Sequence, residues 1–310
     1  MMLDSRARRS VPLKRLVVAG WLMAAVSATA SEPHVPYVPT APNVVEAMLA
    51  IANVGPQDYV IDLGSGDGRI LITAATRHGA RGYGVDLNEN LVARANEAAR
   101  RAGVGERVAF QARNLFVTDL SQATVLTLYL FQSVNVQLRS RLFAELRPGA
   151  RVVSHDFDMD EWQPDEQLTI PVPDKPYGPP ESQVFLWVIP ANAAGTWLGT
   201  VGAQGDAAEF QAELTQTFQL VSGTARVDKM AGKVRTGRLR GHAVRFALDV
   251  PVAGRGILYE FEGQVEGETL VGTVRVTNGA VHDWRARRIR SAPINLSAAP
   301  KNFDYAGNKE

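Results

Sequence analysis

The chain contains no cysteine among its 310 residues. That absence excludes disulfides, a cysteine nucleophile, thiolate zinc sites, and a cysteine-held iron–sulfur cluster with the radical chemistry such a cluster supports. It also leaves the redox compartment unreadable. An excess of either charge is missing too: 33 Lys plus Arg stand against 32 Asp plus Glu, for a net charge of +1. No global attraction therefore marks nucleic acid as a partner, and none is expected. The apolar run Leu16 to Val26 is about half of the roughly 20 residues that a membrane-crossing helix needs. What is present is an ordinary globular composition, 45% hydrophobic and 21% charged, on a chain long enough for about two cores.

Residues 1–30 read as a secretory signal peptide. Arg6, Arg8, Arg9, Lys14 and Arg15 precede the apolar run, and Ala28-Thr29-Ala30 offers a small-residue cleavage site, so the mature chain begins at Ser31. Arg8-Arg9 loosely resembles a twin-arginine signal, which exports folded proteins, although Pro12 interrupts the pattern and the arginines equally serve as a plain positive region. The expected location is the periplasm, or the inner membrane if the segment remains as an anchor.

After a Pro-rich entry, Pro33 to Pro42, strand-like and helix-like runs alternate as far as about residue 155, the pattern of a parallel sheet covered by helices, within a first domain expected over 31–190. Thr40 is placed to cap a first helix and Asn90 a third, and an amphipathic helix is expected over Val136 to Leu146. Leu168 to Val172 and Val184 to Ile189 read as closing strands joined by a Pro-rich loop long enough to cover something. Past residue 191 helical periodicity gives way to short alternating segments such as Val244-Phe246-Leu248 and Ile257-Tyr259-Phe261. These predict seven or eight antiparallel strands over 191–290, a small all-β barrel or sandwich. Its glycines with Trp197 and Trp284 loosely resemble a lipocalin-like or avidin-like meander, with a filled interior favoured over a ligand cavity. Arg285, Arg287, Arg288 and Arg290 read as a solvated basic edge or a contact for anionic partners. Residues 291–310 read as a loose tail.

Three features carry chemistry. Asp62-Leu63-Gly64-Ser65-Gly66-Asp67-Gly68-Arg69 is an acidic strand end followed by alternating glycines, which let the backbone approach a ligand closely. Arg69 stands where a dinucleotide fingerprint needs glycine, and no lysine follows to make a P-loop. Asp86, with Leu87, ends the next strand, where a carboxylate can accept hydrogen bonds from two ribose hydroxyls. Asn114-Leu115 follows the third strand, where amide groups can read an adenine edge. Singly, each has a structural explanation: a tight turn, a strand-ending Asp, an Asn turn. Together they converge on the crevice at the carboxyl ends of the strands.

These motifs resemble the class I S-adenosylmethionine-dependent methyltransferases. The resemblance spans about residues 36–190 and implies a doubly wound, mostly parallel seven-stranded α/β sheet. With Pro36 to Thr40, Ser154 to Phe157 and Trp162, it is similar to bacterial relatives of small protein-lysine methyltransferases. It implies S-adenosylmethionine as cofactor, with Asp62, Gly64, Ser65, Gly66 and Gly68 along its methionine end, Asp86 and Leu87 at the ribose, Asn114 and Leu115 at adenine, and Thr40 at the amino-acid end.

Methyl transfer from a sulfonium needs no metal, because the methyl group is already electrophilic and the protein mainly aligns the nucleophile. A lysine acceptor, with a pKa of about 10.4 in water, must also be held neutral by desolvation or a nearby base. Tyr37, Tyr129 and Asp156 are the candidates on the acceptor side. His155 is a structural histidine or a catalytic one, and Trp162 closes the pocket or packs. The acceptor, the general base and the oligomeric state are not legible. A competing reading is a secreted binding module with a vestigial nucleotide site, in which the β segment does the binding. It arises because the cofactor is made in the cytosol while the signal points outward.

Overall fold

Short strands whose residues are nearly all buried need a layer on each face, and here helices supply both layers. In the computed structural model, which describes residues 37–202, 207–252 and 255–297, the elements run α1 (Pro42–Ile51), β1 (Tyr59–Leu63), α2 (Arg69–His78), β2 (Arg81–Asp86), α3 (Glu89–Arg101), β3 (Val108–Ala112), β4 (Val125–Leu128), α4 (Gln132–Glu145), β5 (Arg151–His155), β6 (Glu166–Pro171) and β7 (Glu181–Val188). The signal expected at 1–30 lies outside the described residues. The seven strands form one sheet in the order β3-β2-β1-β4-β5-β7-β6. The first five are parallel and β7 runs antiparallel to both its neighbours. The order reverses at β1, between β2 and β4, and that is the crevice where such sheets bind ligands.

Two expected caps fall on other residues. Asn88, not Asn90, caps α3, accepting from the backbone N–H groups of Asn90 (3.0 Å) and Leu91 (3.3 Å). Ala41 precedes α1 without any side-chain cap, because Pro42 pre-sets the first turn and leaves the Thr40 hydroxyl to other work. The last sheet helix begins at Gln132, ahead of the expected Val136. Its first turn looks polar because Asn135 is buried for its amide, which donates to Ser154 Oγ and to the carbonyls of Phe157 and Asp158.

The second part is a closed eight-stranded barrel: β8 (Gly195–Val201), β9 (Ala208–Thr217), β10 (Leu220–Val227), β11 (Met230–Arg240), β12 (Ala243–Val252), β13 (Arg255–Glu266), β14 (Thr269–Val276) and β15 (Val281–Ser291). Sequential neighbours pair antiparallel, and β15 closes on β8. The interior is packed by aromatics, with Phe246 stacked on Phe261 at 4.7 Å and Trp284 edge-on to Phe261 at 5.1 Å. A cavity of about 250 Å³ lies instead on the barrel wall, lined by Arg245, Glu260, Glu262 and Arg275 among others.

Closure corrects the reading of the basic strand, since β15 has partners on both sides and is not an edge. Arg288 is moreover buried. Its guanidinium donates to the carbonyls of Ala194, Asn192 and Gly267, and lies 4.5 Å over the Trp197 ring. The expected tail is also held in its first residues: Asn295 bridges to the barrel, accepting from Phe218 N (3.1 Å) and donating to Gln216 O (2.9 Å). Residues 298–310 lie outside the described residues.

Sheet and barrel share a core. Phe218, in the turn from β9 to β10, is buried among side chains of the sheet layer. It stacks on Trp162 at 5.9 Å, lies 6.1 Å from Phe143, and has the Arg139 guanidinium over its ring at 5.5 Å. Around this plug, Arg238 pairs with the buried Asp165 at 2.7 Å, and Gln219 donates to Gln163 O at 2.7 Å. Trp162 is therefore a packing residue beneath the barrel and does not close the pocket. Replacing Phe218 with Ala is expected to cost about 3–5 kcal/mol in denaturant unfolding of the purified chain; a loss below about 1 kcal/mol would show that the plug does not hold the two parts together.

Candidate active site

The glycine loop runs from the end of β1 into α2 and is folded back onto the end of β2. Gly64 and Ser65 both donate to Val85 O, at 2.8 and 2.9 Å, and Gly66 donates to Asp86 Oδ2 at 3.0 Å. To make these bonds, Gly64, Gly66 and Gly68 take φ values of 80°, 53° and 81°, in the left-handed region that other residues resist. Space is equally restrictive: a Cβ at Gly66 would lie 2.6 Å from the Tyr37 ring, and one at Gly68 2.5 Å from the Phe110 ring. The adjoining Asp67 accepts from the Arg69 guanidinium with both carboxylate oxygens, Oδ1 at 2.9 Å from Nε and Oδ2 at 2.6 Å from Nη2. Arg69 then reaches Thr40 O at 2.7 Å and ties the loop to the start of α1.

Beneath the loop sits Asp62, 2% exposed. Its Oδ1 accepts from Thr127 Oγ1 at 2.6 Å, and its Oδ2 is buried without a hydrogen-bond partner among the described residues. Ser65 Oγ is buried in the same condition. A buried acceptor left unpaired carries a desolvation cost, so each such atom in a folded protein asks for an explanation. Burial, reinforced by the charges of Asp86 and Asp67 and opposed by the Thr127 hydrogen bond, pushes the Asp62 carboxyl up to about 7.

Across the reversal point, the carboxyl ends of β4 and β5 hold a second constellation. Tyr129 follows β4, and Leu130 beside it reaches 2.9 Å from where a Gly64 Cβ would lie, so the two halves of the site adjoin. The Tyr129 ring stacks on His155 at 3.8 Å, and its hydroxyl is bonded to that of Tyr177. His155 lies between two hydroxyls, with Nδ1 3.2 Å from Thr40 Oγ1 and Nε2 2.9 Å from Ser182 Oγ. Burial lowers the imidazole pKa well below its usual value, only partly offset by the Asp156 charge, and keeps the ring neutral. Burial, with the Tyr177 hydrogen bond next, raises the Tyr129 phenol far above its usual value. Both shifts favour the uncharged forms, a neutral imidazole and a protonated phenol. Asp156 adopts φ 61°, and Oδ1 accepts from Gln183 N at 2.9 Å. Its Oδ2 pairs with the ammonium of Lys175 at 2.7 Å.

The sequence-predicted residues thus fall into two groups in one crevice. Asp62, Gly64, Ser65, Gly66, Gly68 and Asp86 form the loop and its support, and Thr40 joins them to Tyr129 and Asp156 through Arg69 and His155. Asn114 begins a 3-10 turn at the end of β3, its Oδ1 accepting from Phe116 N at 2.8 Å, with Leu115 half-buried behind it and Leu87 exposed beyond Asp86. Tyr37 lies on the glycine loop beside Asp67 rather than among the residues at the β4 and β5 ends. Thr127, Ser182, Lys175 and Tyr177 escaped sequence reasoning. A threonine inside the four buried residues of β4 was the available signal for the first.

The sequence profile of the ANTKMT methyltransferase domain matches residues 62–166. A protein-lysine N-methyltransferase of Saccharolobus islandicus is 45% identical over 139 residues, which are 44% of this chain and 86% of that protein. The adenine nucleotide translocase lysine N-methyltransferase of Mus musculus is 40% identical over 132 residues, 42% of this chain, and the chain spans 57% of that relative. Among solved structures, an RNA methyltransferase from Salinibacter ruber in complex with S-adenosyl-L-homocysteine is 47% identical, with 49% of this chain and 93% of that one covered at a TM-score of 0.45.

The raised Asp62 pKa has a signed effect on stability. Between the carboxyl's ordinary value of 3.8 and about 7, the folded state binds a proton that the unfolded chain has lost, so stability falls as pH rises through that window. Without ligand, wild type is expected to lose stability relative to Asp62→Asn from about pH 4 to about pH 7 and to run parallel to it above. A difference independent of pH in denaturant titrations would show that Asp62 titrates as an ordinary surface carboxyl.

Proposed function

We propose that this chain, which belongs to the class I S-adenosylmethionine-dependent methyltransferases, methylates the Nζ of lysine in a protein. The observation that carries the lysine reading is Asp156: a carboxylate held at the end of β5 beside Tyr129, with one oxygen fixed by Gln183 N and the other already binding an ammonium. The relatives named as lysine N-methyltransferases support it.

The residues present fit the cofactor. Asp62 Oδ2 is the unpaired acceptor for the ammonium of its methionine end, and Ser65 Oγ is a second unpaired group in the loop. The cradle at Gly64, Gly66 and Gly68 has room for no side chain at Gly66 or Gly68 without displacing a ring. We assign Asp86 to the ribose hydroxyls, since a carboxylate that accepts one N–H per oxygen retains lone pairs for two more donors. Leu87, Asn114 and Leu115 then border the adenine, and Thr40 shapes the amino-acid end through Arg69.

When bound, the cofactor supplies a methyl group on a sulfonium that needs no further activation. The chain's part is to align and desolvate the amine. Asp156 receives the acceptor as an ammonium and orients Nζ. Tyr129, whose hydroxyl keeps its proton, bounds the pocket with its ring and hydroxyl. His155, neutral and fixed between Thr40 and Ser182, supports the Tyr129 ring as a positioning residue. The proton released from the ammonium leaves by way of Asp156 to water.

The binding-module alternative finds no support, because the loop, Asp62 and Asp86 are assembled together and the barrel interior is packed. We retain as a proposal that residues 1–30 direct the chain out of the cytoplasm or to the membrane, on the pattern from Arg6 to Ala30. To test the lysine reading, the chain is incubated with methyl-labelled cofactor and a cell extract, and the protein hydrolysate is separated by amino acid. Label is expected in methylated lysine, with kcat/KM reduced about tenfold to a hundredfold in Asp156→Asn through loss of a charged hydrogen bond. Label confined to nucleic acid, or to another amino acid, would overturn it.

A further inference from the structure

The Pro-rich segment between β6 and β7 carries Lys175 back over the carboxyl ends of β4 and β5. Its side chain is 9% exposed, which is unusual for lysine and requires compensation for the buried charge. The compensation is specific. Nζ lies 2.7 Å from Asp156 Oδ2 and donates to Glu181 O at 2.7 Å, with the Tyr177 ring 6.0 Å away. Tyr177, two residues on, bonds the Tyr129 hydroxyl. The segment is stiff: Pro171, Pro173, Pro176, Pro179 and Pro180 restrict it, and the Val172 N–H donates to Pro180 O at 2.8 Å to close its base. A surface lysine would gain little from such an arrangement, since an exposed, solvent-screened ion pair contributes almost nothing to stability. Here an amine is seated on the same carboxylate that the proposed function assigns to an incoming acceptor.

We infer that Lys175 occupies the acceptor-lysine position in cis and is itself a methyl acceptor, so that the chain modifies its own β6–β7 segment. The inference rests on the lysine reading above. The step balances without any further reactant. The Lys175 ammonium gives a proton by way of Asp156 to water, and the Nζ lone pair forms the new N–C bond. The C–S bond of the sulfonium breaks with its electron pair on sulfur. The products are methylated Lys175, S-adenosylhomocysteine and one proton. Any other protein's lysine must displace Lys175 from Asp156 before it can react.

The test is peptide mass spectrometry of the full chain, as purified and after incubation with S-adenosylmethionine alone, with a parallel incubation containing the cell extract. Methyl groups on Lys175 are expected, at a rate per molecule unchanged by tenfold dilution. They should be absent from Lys175→Arg, which keeps a cation on Asp156, and should accumulate more slowly in Asp86→Ala at limiting S-adenosylmethionine. An unmodified Lys175 in a chain that methylates lysines of the extract would overturn the inference and leave the lysine reading standing. Modification that slows in proportion to dilution would overturn the cis geometry. Methyl transfer to neither Lys175 nor any extract lysine would remove the lysine reading and this inference with it. Wild type alone decides between these outcomes, whatever the variants' folding.

Discussion

Everything proposed for this chain depends on a backbone loop turned back onto its neighbouring strand. Gly64 and Ser65 share the carbonyl of Val85, and Gly66 binds the Asp86 carboxylate. Three consecutive N–H groups are thereby spent on β2, which forces left-handed angles and brings the loop under the rings of Tyr37 and Phe110. Any side chain at Gly66 or Gly68 would oppose both constraints at once. The same fold-back sets Asp62 and Ser65 in a dry position with acceptors unpaired, a cost that a cationic, hydrogen-bonding ligand end would offset.

From the loop, one line of bonds crosses to the acceptor side. Arg69, held by Asp67, reaches the carbonyl of Thr40; the Thr40 hydroxyl meets His155; His155 supports Tyr129 and meets Ser182 on β7. The strand ends that would hold cofactor and acceptor are thus joined by polar contacts rather than by packing alone. The barrel stands behind this arrangement. Phe218 enters the layer formed by Trp162, Phe143 and Trp187, and Arg238 pairs with Asp165 just ahead of β6. Asp165 in turn accepts from Val188 N at 2.8 Å, so the strands flanking the Lys175 segment are braced by the barrel contact.

What was legible in the sequence is what local spacing encodes. The acidic strand end, the alternating glycines and Asp86 lie within one β-α-β unit, so their convergence follows from connectivity alone. The barrel was legible as a pattern of short alternating segments, because period-2 burial depends only on neighbours. Contacts made across the chain were not. Thr127 meets Asp62 over a separation of 65 residues, and Gln219 meets Gln163 over 56. Trp162 could be read either as closing the pocket or as packing, because the barrel that buries it lies far along the chain. Arg288 read as a surface charge because a closed barrel, which brings Trp197 and three backbone carbonyls around its guanidinium, is visible only in three dimensions. Lys175 was hidden for the opposite reason. Proline-rich segments signal a loop, and nothing local shows where the loop points.

The central claim is that the folded-back loop and Asp86 form a working cofactor site. Calorimetric titration of the purified chain with S-adenosylhomocysteine, beside Asp86→Ala, tests it most directly. Wild type is expected to bind with one site per chain, and the variant to bind about 1–3 kcal/mol more weakly through lost charge-assisted hydrogen bonds. No heat of binding from a folded wild-type chain, or equal affinity in the two proteins, would contradict the account.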